Sequence, residues 1–258
     1  LKVNASKVPE RFENLVTAEE YKKSTDYNLD RLKFQIIVSF VSIFILLLLT
    51  IGGLLNTLTS IVSSYTSSNI LGAIFLGLLI ILISEILEIP LAIYSTFVIE
   101  EKYGFNKTTK KTFVTDIVKN LLISSVISCL IYAVVIGIIE NLGNNWWVYA
   151  FGAVFFIQLI IFFLYPVLIM HLFNKFEPLD NEEYKKPVEK LLEKINFKAK
   201  GLFVMNASLR SSHGNAFFTG FGKNKRIVFY DTLLETITPD EMEAILGHEL
   251  GHYKLGHI

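Results

Sequence analysis

The sequence predicts a mainly α fold: a polytopic helical membrane protein carrying a smaller α+β domain at its C-terminal end. Three observations predict it. Four apolar runs are each long enough to cross a bilayer, which takes about 20 apolar residues. Charged residues make up only 19% of the 258 and mean hydropathy is +0.48, against roughly 25% charged in an average soluble domain. All 24 Lys and Arg fall in segments that alternating spans place on one side of a membrane. The same composition excludes a disordered chain and a disulfide scaffold. Asp and Glu also number 24, so there is no basic field for a nucleic acid to meet. The one cysteine, Cys129, lies in an apolar run and reads as a small buried hydrophobe.

Residues 1–34 read as a cytosolic N-terminal segment, polar and charged in both signs, which does not have the pattern of a signal peptide. Residues 35–170 read as a four-helix transmembrane region. Its spans are Gln35 to Leu55, Ile70 to Ile99, Leu121 to Ile139 and Trp147 to Met170. A core helix in water seldom stays apolar all round for such a length. Seven basic residues precede the first span, five (Lys102, Lys107, Lys110, Lys111 and Lys119) lie in the connector 100–120, and the other twelve follow His171. The connectors 56–69 and 140–146 hold none. The positive-inside rule then makes the basic side cytosolic. Trp146, Trp147 and Tyr149 mark the outer end of the fourth span, where interfacial aromatics collect.

The second span is interrupted by Glu85, Glu88 and Pro90. Carboxylates inside a span usually face protein or water, and spacing i, i+3 puts these two on one helix face. Two readings stay open. The pair lines a polar cavity, or the run outlasts the bilayer and the carboxylates sit near headgroups or at a Pro90 kink. Neither is assigned catalysis.

Residues 171–258 read as a polar domain of mixed type. Asn181–Asn196 is an amphipathic helix with Val188, Leu191, Leu192 and Ile195 on one face. Leu202–Met205 and Arg226–Tyr230 are strand-like, and Ala216–Phe218 is a third candidate. Thr238-Pro239-Asp240-Glu241 starts a helix: Thr238 caps, Pro239 takes the first position and Glu241 closes a capping box.

That helix carries His248-Glu249-Leu250-Gly251-His252, an H-E-x-x-H. Residues i and i+4 share one helix face, so both imidazoles can bind one Zn2+ ion. Glu249 is placed to act as general base on a water that zinc has acidified, for attack on a peptide carbonyl. The structural alternative is a pair of surface histidines, or a metal site without hydrolysis. A zincin needs a third protein ligand. His257 lies five residues past His252 and off the shared face, and His171 reads as an interfacial residue. His213-Gly214-Asn215-Ala216, ahead of the Arg226–Tyr230 strand, is either a polar turn or the edge along which an extended peptide lies.

These residues resemble a known family, the integral-membrane zinc metalloproteases typified by the type I CAAX prenyl protease, also called the a-factor-converting enzyme. The resemblance is carried by Thr96 to Lys107, Phe173-Asn174-Lys175-Phe176, Arg210 to Ala216, Lys223 to Val228, Asp231-Thr232-Leu233-Leu234 and Leu246 to His257. It reaches back more weakly to Tyr21–Phe34. It implies a helical membrane barrel around a water-filled chamber with a cytosolic zincin-type domain. His248 and His252 match the zinc ligands, Glu249 the catalytic base, and His213, Asn215 and Ala216 the segment beside bound peptide. The family's third ligand is a Glu on a later helix, and of its seven spans four are visible here. The expectation is therefore a piece of a longer protein, with one span before Leu1 and two after Ile258, that would bind zinc poorly and be inactive alone. Gly214 stands where the family often has Ser, and Tyr253 where it often has Trp. The short connection from Leu234 to His248 favours a bacterial or fungal type.

The function expected is a zinc-dependent endopeptidase acting on peptides or prenylated proteins at a membrane. In a eukaryote that means C-terminal processing of CAAX proteins at the endoplasmic reticulum. In a bacterium it means quality control of membrane proteins at the inner membrane. A competing class is a non-catalytic, lipid-associated scaffold with a structural metal site. Oligomeric state is left unassigned.

Overall fold

The computed structural model describes residues 8–9, 12–195, 197, 199–220 and 225–255, with residues 249 and 252–254 described in backbone only. His257, Ile258, Asn196, Lys223 and Asn224 lie outside the described residues, as do the basic residues Lys2, Lys7, Arg11 and Lys198. The chain divides into two compact units, one formed by residues 1–106 and 114–157, the other by residues 107–113 and 158–258.

In the first unit, α1 (Ala18–Thr50) begins at a capping box in which Thr17 and Glu20 exchange side-chain-to-backbone bonds. Among the described residues, four helical stretches are long and apolar enough to cross a membrane: Ala18–Thr50, Asn69–Tyr103, Lys110–Asn141 and Gly143–Phe173. Their apolar faces are left bare: Phe40, Phe44 and Phe151 are 69%, 65% and 73% exposed. Apolar surface of that extent is stable against lipid tails and not against water.

The helices begin ahead of the spans read in the sequence, at Ala18 and Lys110 rather than Gln35 and Leu121, and other boundaries differ too. The first span ends at Thr50, not Leu55, because Gly52 and Gly53 break the helix and Gly53 takes a left-handed conformation (φ 73°). Leu55 belongs to α2 (Leu54–Tyr65), a helix where a plain connector was expected; it buries Leu58 and Val62 on one face. α3 (Asn69–Tyr94) runs through Pro90 into a π-helical turn, Ser95–Glu100, and on into the short α4 (Glu101–Tyr103). Gly104 stops it with φ 79°. The third and fourth spans are α5 (Lys110–Asn141) and α6 (Trp146–Leu164), the latter again passing through a π-turn, Tyr165–Ile169, to α7 (Met170–Phe173). Glu85 is half-buried and Glu88 exposed.

The stretch from Glu100 to Phe105 locks onto α1. Tyr27 donates its hydroxyl hydrogen to the Glu100 carboxylate at 2.8 Å. Asp30 accepts from the Lys102 ammonium at 2.7 Å and the Tyr103 hydroxyl at 2.8 Å. The Tyr27 ring meets Tyr103 and Phe105 edge to face, at 5.2 and 4.8 Å between centroids. Elsewhere α3 and α5 touch where Gly77 leaves room for the Tyr132 ring.

The second unit holds a four-stranded sheet in the order β1-β2-β4-β3. The strands are β1 (Phe176–Pro178), β2 (Gly201–Met205), β3 (Ala216–Thr219) and β4 (Arg226–Tyr230). β1 and β3 run antiparallel to their neighbours, while β2 and β4 are parallel, with Phe203 opposite Val228. Alternation along β4 sends Ile227 and Phe229 to one face and Val228 to the other. Ile227 and Phe229 pack under α8 (Glu182–Lys194) and α10 (Pro239–Lys254), with Val188, Leu192, Met242, Leu246 and Leu250. Val228 packs with Met205 and Ala207, backed by Met170 and Phe176. A strand covered on both faces is the ordinary situation of a parallel pair. α8 ends at Lys194.

Tyr184 of α8 donates toward the carbonyls of Leu234 and Ile237, at 3.1 and 2.7 Å. These carbonyls end α9 (Asp231–Leu234) and lead into α10. Tyr184→Phe is expected to destabilise the unit by about 1 kcal/mol, the net worth of a protein hydrogen bond. Denaturant unfolding followed by circular dichroism would show it; an unchanged midpoint would mean the hydroxyl contributes nothing.

Candidate metal centre and substrate edge

α10 forms as its sequence dictates. The Thr238 main-chain N–H and hydroxyl donate to the Glu241 carboxylate at 2.7 and 2.9 Å, and the Glu241 N–H returns to the Thr238 oxygen at 3.4 Å. The Thr238 backbone bond, then its hydroxyl, hold the Glu241 carboxyl below its usual range. A depressed carboxyl stabilises the fold at neutral pH, and that contribution is lost as pH falls through the folded-state pKa.

Met242, Leu246 and Leu250, spaced i, i+4, i+8, are the buried stripe, each no more than 2% exposed. At about 100° per residue, positions 248 and 252 stand about 200° round from Leu246 and Leu250, on the opposite side of the helix. His248 is exposed there. Position 249 lies between the two stripes. A Cβ built on Gly247 or Gly251 would meet nothing within 4 Å, so the flanks of this face are open. The backbone thus presents two imidazole-bearing positions one turn apart on the side turned from the core, next to a carboxylate-bearing position. Neutral imidazole pairs at i, i+4 suit a borderline-soft divalent ion. Among the described residues, no three His, Cys, Asp or Glu side chains gather in a group that could hold a metal. The backbone of α10 sets out two ligand positions of such a site, 248 and 252.

His171, on α7, packs its ring on Phe176 with centroids 4.5 Å apart. His213 lies on the segment that leads into β3, and its carbonyl accepts from the Thr232 hydroxyl at 2.8 Å. Asn215 Oδ1 accepts from the Ala216 N–H at 2.9 Å, and the Asn215 carbonyl accepts from the Tyr230 N–H at 2.9 Å. Ala216 opens β3, which among the described residues has β4 on one side and no strand on the other. Segment 212–215 is irregular and Ala216–Thr219 is the sheet's edge strand, so turn and edge follow one another.

Several residues that hold this segment were given no role by the sequence reading. The Arg210 carbonyl accepts from the Lys107 N–H at 3.1 Å and the Thr108 hydroxyl at 3.0 Å, and its guanidinium donates to Asn174 Oδ1 at 3.0 Å. Asn206 Oδ1 accepts from the Lys175 N–H at 2.7 Å. The Asp231 carboxylate accepts from the Ser208 N–H at 2.9 Å and from the Ser208 hydroxyl. The available signal was that Lys107, Asn174, Arg210 and Asp231 all fall in the segments of family resemblance; their mutual contacts span too much sequence for spacing to show.

The chain joins membrane-length helices to a mixed sheet that carries an H-E-x-x-H helix. The chain belongs to peptidase family M48. Residues 178–258 match that family's model and residues 1–175 match the model of the CAAX prenyl protease N-terminal region with five membrane helices. It is 39% identical over 255 residues to the probable CAAX prenyl protease 1 of Schizosaccharomyces pombe, covering 94% of this chain and 54% of that one. It is 36% identical over 258 residues to a CAAX prenyl protease 1 homolog of Oryza sativa subsp. japonica, covering 97% and 61%. The crystal structure of S. mikatae Ste24p superposes with a TM-score of 0.89 at 32% identity, covering 99% of this chain and 61% of that chain. The chain thus spans little more than half the length of these relatives.

Proposed function

We propose that this chain is part of a zinc-dependent membrane endopeptidase that processes the C-terminus of prenylated CAAX proteins. The observation that carries the reading is the capped α10 helix of an M48 chain, with positions 248 and 252 on its outer side and its inner side committed to the core. His248 and His252 would hold the ion, with a third ligand in the part of the protein that this chain does not span. Zinc, when bound, supplies a Lewis acid that sharpens the acidity of water and the electrophilicity of a peptide carbonyl. Glu249 takes the proton from the attacking water and delivers it to the departing amine. The C–N bond breaks, and the new carboxyl and the amine are the two products. His213, Asn215 and Ala216 hold the peptide extended, by main-chain pairing along the edge of β3.

We assign residues 1–34 to the cytosol, 35–170 to the membrane and 171–258 to the N-terminal part of a cytosolic peptidase domain. The distribution of Lys and Arg supports this orientation. The yeast and plant relatives are eukaryotic, the case for which we assign the endoplasmic reticulum rather than a bacterial inner membrane.

The test is cleavage of a farnesylated CAAX peptide by the full-length protein in lipid vesicles. The expected product is the peptide shortened by its last three residues, with the same peptide lacking the prenyl group cut at least tenfold more slowly. Equal rates on the two would remove prenyl recognition; no cleavage of either, with zinc bound, would remove the peptidase reading.

A further inference from the structure

Three consecutive residues, the last of β4 and the first two of α9, each hold one point of the segment that leads into the edge strand. The Tyr230 N–H holds the Asn215 carbonyl, the Asp231 carboxylate holds Ser208, and the Thr232 hydroxyl holds the His213 carbonyl. Thr232 is only 5% exposed. A buried hydroxyl needs a partner, and this one has taken a carbonyl outside regular structure, 19 residues away. Gly214 lies close against the same turn: a Cβ there would stand 3.0 Å from Leu233 Cδ1 and 3.2 Å from Leu233 Cα. The peptide plane between His213 and Gly214 is therefore set from beneath. Two residues on, the Asn215 carbonyl points into the sheet, so strand alternation turns the main-chain groups of Ala216 to the open edge, where the Ala216 N–H meets the Oδ1 of the neighbouring Asn215 at 2.9 Å.

We infer that Thr232 is a positioning residue for peptide binding: through the His213 carbonyl it fixes the direction in which the edge at Ala216 presents its main chain. The inference rests on the proposed function, in that it takes this edge as the place where substrate lies. Thr232 itself touches no substrate. Its hydroxyl ties the first turn of α9 to the turn before β3.

The test uses the full-length protein in vesicles with a farnesylated CAAX peptide and compares Thr232→Val, Thr232→Ser and Ala216→Pro. Val keeps the branched shape and drops the hydroxyl; Ser keeps the hydroxyl. Thr232→Val should raise KM about fivefold, the equivalent of one net hydrogen bond, with kcat within about twofold, as expected for loss of binding common to ground and transition states. Thr232→Ser should return KM to within about twofold of wild type, because the hydroxyl bond is restored. Wild-type KM in the Val variant overturns the inference, as does a Ser variant as impaired as Val, which would make shape and not the hydroxyl the cause. Ala216→Pro removes the outward N–H, together with its bond to Asn215 Oδ1, without removing a ladder bond. If it raises KM while Thr232→Val does not, only the role of Thr232 fails. If both leave KM unchanged, the edge is not where substrate lies, and the inference falls with that reading.

Discussion

Replacing Glu249 with Gln in the full-length protein is expected to lower kcat by about 10²- to 10⁴-fold, the usual worth of a positioned general base. Gln keeps the size of the side chain and its capacity to hydrogen-bond water, and it cannot accept a proton. The helix around it should not notice. Its start is fixed by Thr238 and Glu241 and its inner stripe by Met242, Leu246 and Leu250, none of which changes. Zinc content and thermal stability should therefore match wild type while turnover of the farnesylated peptide is lost. A Gln variant that retains a fifth or more of the wild-type rate would assign the base elsewhere; one that loses its zinc would make Glu249 a ligand or a support for one.

Gly77→Leu is expected to abolish stable folding of the membrane region. A Cβ on residue 77 would sit 1.9 Å from Cε2 of Tyr132, and 2.6 and 2.7 Å from two further atoms of the same ring. The ring lies where the side chain would have to go, so α3 and α5 must part or Tyr132 must leave its place. Small residues matter between membrane helices because association there depends on close packing, with little hydrophobic drive to compensate. Gly77→Ala, adding one carbon, is expected to cost about 1–3 kcal/mol, the usual range for overpacking a filled site. Thermal unfolding in detergent would measure both. The informative variant is Gly77→Ala combined with Tyr132→Ala: removing the ring should recover much of the stability lost through Gly77→Ala. If Tyr132→Ala and Gly77→Ala simply add, the two positions do not meet.

The four spans were legible because an apolar run of that length has few other uses. Their ends were less so. Gly52 and Gly53 lie inside the first run, where hydropathy averages over a helix break, and Leu55 was carried across it. α2 was hidden because its hydroxyl-rich sequence reads as a linker; its helical character shows in the burial of Leu58 and Val62 four residues apart. β1 escaped notice because Phe176-Glu177-Pro178 is three residues long and ends in proline, and its pairing with Met205 to Phe203 lies far along the chain. The start of α10 was legible, since its cap is local. The hold of Thr232 on His213 was not, because nothing in a threonine between Asp231 and Leu233 says which distant carbonyl its hydroxyl will meet.

The strand order has a consequence for how the second unit comes into being. β1 and β2 lie within residues 176–205, and β3 and β4 within residues 216–230, so each pair is complete before the chain reaches α10. The parallel seam between β2 and β4 is the long-range step, the kind that sets the pace of assembly. A ribosome therefore delivers the four strands before the His248–His252 helix, which packs onto the face made by Ile227 and Phe229. The turn that carries His248 and His252 therefore rests on a sheet whose strands all precede it in the chain.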